Sequence, residues 1–126
     1  MFTAGIITLS DKGSRGERVD ESGRVIEEMI QEAGYEVKHK EIIPDDLSLI
    51  EEKLIEYSDV HQVDLILTTG GTGFSPRDVT PEATEKVATR RVPGIAEAMR
   101  AYSMTITKRA MLSRAASVIR NNTLII

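Results

Sequence analysis

The chain has 126 residues, of which 40% are apolar and 29% are charged, as in an ordinary globular domain with a sizeable core. A net charge of −4 gives no electrostatic footprint for nucleic acid, and no apolar run approaches the roughly 20 residues of a membrane span. The absence of cysteine excludes disulfides and thiolate metal sites, so we expect a reducing compartment, the cytoplasm by default. We therefore expect one domain over residues 1–126, without nucleic-acid or membrane partners.

The first part of the chain alternates between strand and helix patterns. Ala4–Leu9 is a continuous apolar strand, and Ser10–Gly23 is a polar, glycine-bearing connection. Because it is long for a strand-to-helix connection, Ser10–Gly23 is consistent either with a functional loop or with a mobile surface loop. Apolar residues at helical spacing in Val25–Ala33 then predict a helix, with Gly34 as its stop signal.

A second strand, Tyr35–Ile43, is followed by a polar turn and another helix. Asp45 and Asp46 in this turn are consistent with helix capping or with a ligand site, and one of them could cap while the other faces a ligand. Ser48 and Glu51 stand in the relation of a capping box. The predicted apolar face of the helix carries Leu47, Ile50, Leu54 and Tyr57.

The third predicted strand, Val63–Thr68, leads into a loop with three glycines. Glycines permit backbone angles that are barred to other residues and let a ligand approach the chain closely. Thr80 is predicted to cap the following helix, and Pro81 suits its first position. Since a helix start offers unpaired N–H groups and a partial positive charge, this junction suits an anion, above all phosphate.

The glycines alone are also consistent with an ordinary tight turn. The buried strand before them, the capped helix after them and the charged pair Arg77 and Asp78 favour a ligand site instead. Neither the Walker spacing nor the Rossmann spacing is present. Arg77 could hold a phosphate, and Asp78 could hold a metal ion.

The last part of the chain is predicted to hold two helices, a helical turn and two short strands. The helices run from Pro81 to about Arg90 and onward from Pro93, and the strands are Val118–Ile119 and Thr123–Ile126.

The methionines and histidines show no spacing that indicates a functional site. We interpret Met99, Met104 and Met111 as core filler, and His39 and His61 as surface residues without metal-ligand spacing.

Alternating strands and helices predict a three-layer α/β/α fold with a mostly parallel sheet. Ligands bind such sheets beyond the carboxyl ends of the strands, where the three loops Ser10–Lys12, Pro44–Asp46 and Thr69–Asp78 should meet. Carboxylates, hydroxyls and glycine amides at one edge predict a site for Mg²⁺ and phosphate, because magnesium usually takes one or two carboxylates plus phosphate oxygens.

These residues also resemble a family signature. The run Thr68–Gly73, followed by Arg77–Thr84, is similar to the signature of the molybdenum-cofactor biosynthesis proteins, the bacterial molybdopterin adenylyltransferases of the MogA/MoaB type and the N-terminal domain of gephyrin. Supporting matches are Leu9-Ser10-Asp11, Ile43-Pro44-Asp45, Pro93-Gly94 and Met111-Leu112-Ser113-Arg114. The resemblance extends from about Gly5 to Ile126, and its central motif is long enough to be specific.

The resemblance implies a homotrimer that transfers AMP from Mg-ATP to the terminal phosphate of molybdopterin and releases pyrophosphate, ahead of a molybdenum-insertion protein. By position, Asp45 and Asp78 match the family's essential carboxylates, which we expect to be catalytic and to hold Mg²⁺. Lys12 or Arg77 is expected to offset developing charge. The expected binding residues are Ser10, Asp11, Thr69, Gly70, Gly71, Thr72, Gly73, Arg77 and Thr80.

The chain departs from the family pattern at its end. It stops at Ile126, before an Asn-Leu-Pro-Gly motif, and Ser117 stands where glycine is common. We expect the apolar end Leu124–Ile126 to lack a covering element, with reduced stability and incomplete substrate binding. Two other functions stay open: a non-catalytic pterin-binding or trimerising module, and a related enzyme that cleaves nucleotide pyrophosphates.

Overall fold

A six-stranded sheet is the centre of the computed structural model, which describes residues 1–126. The strands lie in the order β2-β1-β3-β6-β5-β4, and only β5 runs against the others. The predicted mostly parallel sheet is therefore confirmed. The strands are β1 Thr3–Leu9, β2 Glu36–Ile43, β3 Leu65–Thr69, β4 Arg90–Arg91, β5 Val118–Arg120 and β6 Thr123–Ile125.

The helices connect these strands as the sequence pattern predicts, with differences at their ends. None of them is long and apolar enough to cross a membrane. The helices are α1 Asp11–Ser14, α2 Glu21–Glu32, α3 Leu47–Ile55 with a π-helical turn Glu56–Val60, α4 Thr80–Val87, α5 Pro93–Met104, and a 3-10 turn Lys108–Leu112.

Strand β1 shows that both faces of the sheet are covered. On one face Ile7 and Leu9 belong to a core cluster with residues of α3, the π-helical turn and α4. On this face Gly5 lies directly under the ring of Tyr57, and a Cβ at Gly5 would meet the ring at 2.5 Å. On the other face Thr8 donates to Asp20, the cap of α2, at 2.9 Å. The helices thus flank the sheet on both sides, as the three-layer prediction requires.

Two predicted helix boundaries are wrong. Helix α2 begins at Glu21 rather than near Val25, because Asp20 caps it by accepting from the amide of Gly23 at 2.9 Å. The helix predicted to reach Arg90 ends at Val87, since the chain there extends to form edge strand β4 beside β5.

The capping box predicted at Ser48 and Glu51 is also wrong. Asp46 caps α3 instead, and its carboxylate accepts from the amide of Leu49 at 2.9 Å. One aspartate of the pair therefore caps, while Asp45 accepts from the amide of Asp11 at the edge of the sheet; that Asp45 faces a ligand stays a prediction.

The expectation of an uncovered apolar end at Leu124–Ile126 is wrong. Strand β6 lies between β3 and β5, and Ile125 is fully buried. Ile126 donates to the carbonyl of Ile66 at 2.9 Å and accepts from the amide of Thr68 at 2.7 Å. The last residues are therefore a central part of the sheet.

The interpretation of three methionines as core filler is wrong as well. Met99, Met104 and Met111 are 47%, 39% and 61% exposed. They belong to α5 and the 3-10 turn, which pack on each other and leave apolar side chains at the surface. Tyr102, Ile106 and Leu112 are exposed in the same region.

The two histidines form a contact that their sequence spacing does not suggest. The rings of His39 on β2 and His61 after the π-helical turn stack with centroids 3.8 Å apart. Burial lowers the pKa of His39, and repulsion from His61 acts in the same direction as burial. Glu41 and Glu56 oppose this shift without reversing it.

We expect this pair to make the fold less stable in mild acid. Because the pKa of His39 is lowered in the folded state, the unfolded chain binds the proton more readily, so the free energy of unfolding falls as the pH drops through the ordinary value of 6.5. Between pH 7.5 and 5, the free energy of unfolding measured in urea should fall less for His39→Gln than for the unchanged protein. Equal losses in the two proteins would contradict this account.

Candidate functional site

Three adjacent parallel strands deliver their loops to one edge of the sheet. Strand β1 lies between β2 and β3, so the residues that follow Leu9, Ile43 and Thr69 meet there. The amide of Ser10 donates to the carbonyl of Ile43 at 2.9 Å and extends the ladder by one bond. The structure therefore confirms the prediction that the three loops meet at one edge of the sheet.

Asp11 and Asp45 join two of these loops by a reciprocal pair of hydrogen bonds. The amide of Asp11 donates to the Asp45 carboxylate at 3.2 Å, and the amide of Asp45 donates to the Asp11 carboxylate at 3.0 Å. Each aspartate thus accepts from the other's backbone, which fixes the ends of β1 and β2 relative to each other.

Arg77 brings the third loop into the same network. Its guanidinium donates to both oxygens of Asp11, at 3.1 and 2.8 Å. This bidentate pair holds the pKa of the Asp11 carboxyl below its ordinary value. Arg77, expected to contact phosphate, is thus already engaged with a carboxylate, although its side chain is 60% exposed.

The glycine loop, residues 70–73, has all four of its carbonyl groups bonded to protein donors. Thr80 holds the first half of the loop: its hydroxyl donates to Gly70 at 2.8 Å and its amide donates to Gly71 at 3.1 Å. Arg114 holds the second half: its amide donates to Thr72 at 2.9 Å and its Nε donates to Gly73 at 2.8 Å.

The amides of the same loop are free. None of the N–H groups of residues 70–73 donates to another group of the protein, and Gly70 is exposed while residues 71–73 are half-buried. Buried or half-buried backbone donors normally find a partner, and successive free amides in a turn form a concavity suited to an anion. The glycine loop therefore offers up to four backbone donors without a protein acceptor.

Gly70 and Gly71 are required by this geometry for two separate reasons. Both have positive φ angles, +99° and +70°, which residues with a Cβ rarely adopt. In addition, a Cβ would lie 2.3 Å from the carbonyl oxygen of Leu9 at Gly70, and 2.2 Å from the hydroxyl of Thr80 at Gly71.

Thr80 therefore has another role than the predicted one. The cap of α4 is Val79, Thr80 is the first helical residue, and no side chain caps this helix. The Thr80 hydroxyl is buried and bonds to the loop carbonyl of Gly70, because the loop folds back over the start of the helix. Pro81 is the second helical residue of α4 rather than the first, which was predicted for it, but it still lies in the first turn.

The two predicted catalytic carboxylates both face the glycine loop. A Cβ on Gly71 would lie 3.2 Å from Oδ1 of Asp45, and a Cβ on Gly73 would lie 2.8 Å from Oδ2 of Asp78. Oδ1 of Asp45 is buried and has no hydrogen-bond partner, whereas Asp78 accepts from the amide of Ser75 at 2.9 Å. Burial raises the pKa of Asp45, and the carboxylates of Asp11 and Asp78 act in the same direction.

An open cleft of about 650 Å³ lies beside the loop at this edge. Four of the predicted site residues, Thr72, Gly73, Arg77 and Thr80, do not line it. They shape the loop or lie beside the opening. The predicted residues that line the cleft are Ser10, Asp11, Lys12, Asp45, Thr69, Gly70, Gly71 and Asp78.

Several residues at this edge were not predicted as site residues, and two of them make contacts that shape the site. Asp20 lines the cleft while it caps α2 and accepts from Thr8. Arg114 holds the loop from outside the cleft. Asp20 could have been found as an acidic residue just before a helical pattern. Arg114 was noticed only as part of the family match that ends at this residue, because its contact with Gly73 spans 41 residues of the chain.

The donor set at the edge fits a magnesium ion that also takes phosphate oxygens. No group of three or more histidine, cysteine, aspartate or glutamate side chains is arranged to hold a metal by itself. The unpartnered oxygen of Asp45 and the carboxylate of Asp78 nonetheless supply the one or two protein ligands that Mg²⁺ commonly takes beside phosphate.

These features define an α/β domain with unbonded backbone amides and acidic side chains at one edge of its sheet, and the comparisons with known proteins identify its family. The family described as "Probable molybdopterin binding domain" matches residues 5–126. The chain belongs to this family.

Curated and solved relatives are similar over nearly the whole chain. The molybdopterin adenylyltransferase of Helicobacter pylori strain J99 is 44% identical over 97% of this chain and 70% of its own length. The Escherichia coli K12 enzyme of the same name is 41% identical over 97% of this chain, which spans 64% of that enzyme. The crystal structure of the molybdopterin biosynthesis enzyme MoaB from Thermus thermophilus has a TM-score of 0.91 and 47% identity, and the match covers 99% of this chain and 79% of that one.

A pair of glycine substitutions tests the close packing of the loop. Gly16 has a φ of +75° with open space around it, so Gly16→Ala should cost only the strain of the left-handed backbone, about 1–2 kcal/mol. Gly71→Ala carries the same strain and must also displace the Thr80 hydroxyl, so its loss of unfolding free energy in urea should be larger. Equal losses at the two positions would contradict the packing described here.

Proposed function

We propose that the chain is a molybdopterin adenylyltransferase, which transfers AMP from Mg-ATP to the terminal phosphate of molybdopterin and releases pyrophosphate. The observation that carries this proposal is the glycine loop, whose carbonyls are bonded to the protein and whose amides are free beside two carboxylates. The names of the bacterial relatives support the choice of substrates.

The proposed reaction needs no general base. A phosphomonoester has its second pKa near 6, so the attacking phosphate is already largely ionised at neutral pH. The bond that forms joins a phosphate oxygen of molybdopterin to the α-phosphorus of ATP, and the bond that breaks releases pyrophosphate. The protein's task is to align two anionic groups and to offset their repulsion.

The residues of the cleft divide this task. The free amides of the glycine loop bind phosphate oxygens without adding negative charge. Asp45 and Asp78 are the proposed ligands of Mg²⁺, and the reciprocal bonds of Asp45 with Asp11 fix its orientation. When bound, the metal ion would neutralise phosphate charge and help to orient the nucleotide.

Lys12 is the better candidate for the cation that offsets charge. It lines the cleft and forms no ion pair, whereas Arg77 is bound bidentately to Asp11. Arg77 in this proposal holds the third loop against the first two. The partner that Arg77 already has is the observation that favours Lys12 in this proposal.

We also propose a homotrimer, in the cytoplasm, that hands its product to a molybdenum-insertion protein. The support for assembly is the apolar surface on α5 and the 3-10 turn, where Met99, Tyr102 and Ile106 are 47%, 70% and 73% exposed. The support for the cytoplasm is the absence of cysteine. A single species of 13.9 kDa in sedimentation would contradict the trimer.

The catalytic assignment is tested by charge-removing substitutions in matched positions. Asp45→Asn and Asp78→Asn keep the shape of each side chain but remove the negative charge of the proposed metal ligand. Each should therefore lower the rate of pterin-dependent pyrophosphate release by at least roughly 100-fold. Asp46→Asn is the control, because asparagine caps a helix about as well as aspartate and should leave turnover unchanged.

The assay uses the whole chain with molybdopterin, Mg²⁺ and labelled ATP. Pyrophosphate release that requires the pterin supports the adenylyltransferase. Binding of the pterin without release would indicate a non-catalytic module, and release without the pterin would indicate a pyrophosphate-cleaving enzyme. Unchanged turnover of Asp78→Asn at saturating Mg²⁺ and ATP would overturn the metal role of that residue.

A further inference from the structure

Arg114 makes an unusual set of contacts with the glycine loop from outside the cleft. Its backbone amide donates to the carbonyl of Thr72 at 2.9 Å, and its Nε donates to the carbonyl of Gly73 at 2.8 Å. Its Nη2 donates to the carbonyl of Asp78 at 2.6 Å. Arg114 thus binds both ends of residues 73–78, the segment that carries Asp78.

The remaining nitrogen of the guanidinium connects this segment to helix α4. Nη1 donates to Glu82 at 2.6 Å, and this contact lowers the pKa of the Glu82 carboxyl. Glu82 lies in the first turn of α4, so the ion pair anchors the guanidinium on a regular element. The fixed fork of an arginine can satisfy all three acceptors at once, whereas a lysine offers a single point charge.

Arg114 does not line the cleft beside the loop. It lines a second cleft, of about 630 Å³, between α4 and α5, and its side chain is 34% exposed there. Its effect on a ligand of the loop would therefore be indirect. It holds the carbonyls of Thr72 and Gly73 toward residue 114, while the amides of the loop make no bond within the protein.

We propose that Arg114 is a positioning residue, whose guanidinium holds the glycine loop in the shape that binds phosphate and holds Asp78 beside it. This role rests on the proposed function of the loop. Thr80 supplies the corresponding bonds for Gly70 and Gly71, but it is close to the loop in the chain. Arg114 reaches the loop from a distant part of the sequence and makes its shape depend on the tertiary fold.

The test compares Arg114→Gln with Arg120→Gln. Arg120 is a matched control, because its guanidinium also joins a carboxylate, that of Asp59, to a backbone carbonyl, that of Val87, but makes no bond to the loop or to the neighbours of Arg114.

Amide hydrogen exchange by mass spectrometry is measured on the whole chain of each variant, with peptides that separate residues 70–78 from strands β1 and β3. The amides of Ser75, Arg77 and Asp78 are the hydrogen-bonded ones in this segment, so their exchange reports its shape. Exchange needs neither substrate nor turnover, so it is informative even if the proposed function fails.

For Arg114→Gln we expect faster exchange in residues 70–78 with unchanged protection of β1 and β3. In the pterin-dependent assay we expect kcat/KM for Mg-ATP to fall by roughly 100-fold, the scale of a misplaced reacting group. Arg120→Gln should show neither effect. Arg114→Lys should behave like Arg114→Gln, because charge alone does not satisfy the carbonyls.

Three results would overturn the proposal. Unchanged exchange in residues 70–78 would show that the loop keeps its shape without the guanidinium. A loss of protection spread evenly over the sheet would show a general structural role. Full recovery in Arg114→Lys would show that only the charge matters. If the unchanged protein itself releases no pyrophosphate, the adenylyltransferase proposal fails while the exchange result still decides the role of Arg114.

Discussion

The attachment of four consecutive loop carbonyls to protein donors is the constraint on which the rest of the site depends. Thr80 and Arg114 donate to the carbonyls of the loop and accept from none of its amides. A backbone segment held in this way must present its N–H groups elsewhere, and at Gly70 and Gly71 it must use angles that favour glycine. The free donors are thus a consequence of how the loop is attached to α4 and to residue 114.

The parallel sheet places the acidic groups next to these donors. Because β2, β1 and β3 are adjacent and run in the same direction, their carboxyl ends bring Asp45, Asp11 and Asp78 to one edge. The reciprocal bonds of Asp11 with Asp45, and the ion pair of Asp11 with Arg77, then leave one oxygen of Asp45 without a partner. A buried unpaired carboxylate oxygen is costly, which is a reason to expect a cation there when a ligand binds.

Features of the sequence that depend on local patterns were predictable. The apolar runs indicated the principal strands, and the aspartate pair before α3 divided into a cap and a cleft residue as one of the alternatives foresaw. The contacts that were missed join residues far apart in the chain. The bond of Arg114 to Gly73, the stack of His39 on His61 and the place of β6 inside the sheet all depend on the tertiary fold, and no periodicity encodes them.

The most direct test of the free-amide loop follows the backbone amide signals of Gly70, Gly71, Thr72 and Gly73 by ¹H–¹⁵N NMR while Mg-ATP is added to the whole chain. If these amides bind the phosphates, their signals should move together and saturate at one ligand concentration, with the largest proton shifts in the protein. If they stay in place while signals elsewhere respond, the nucleotide binds at another surface, and the glycine loop is not the phosphate site.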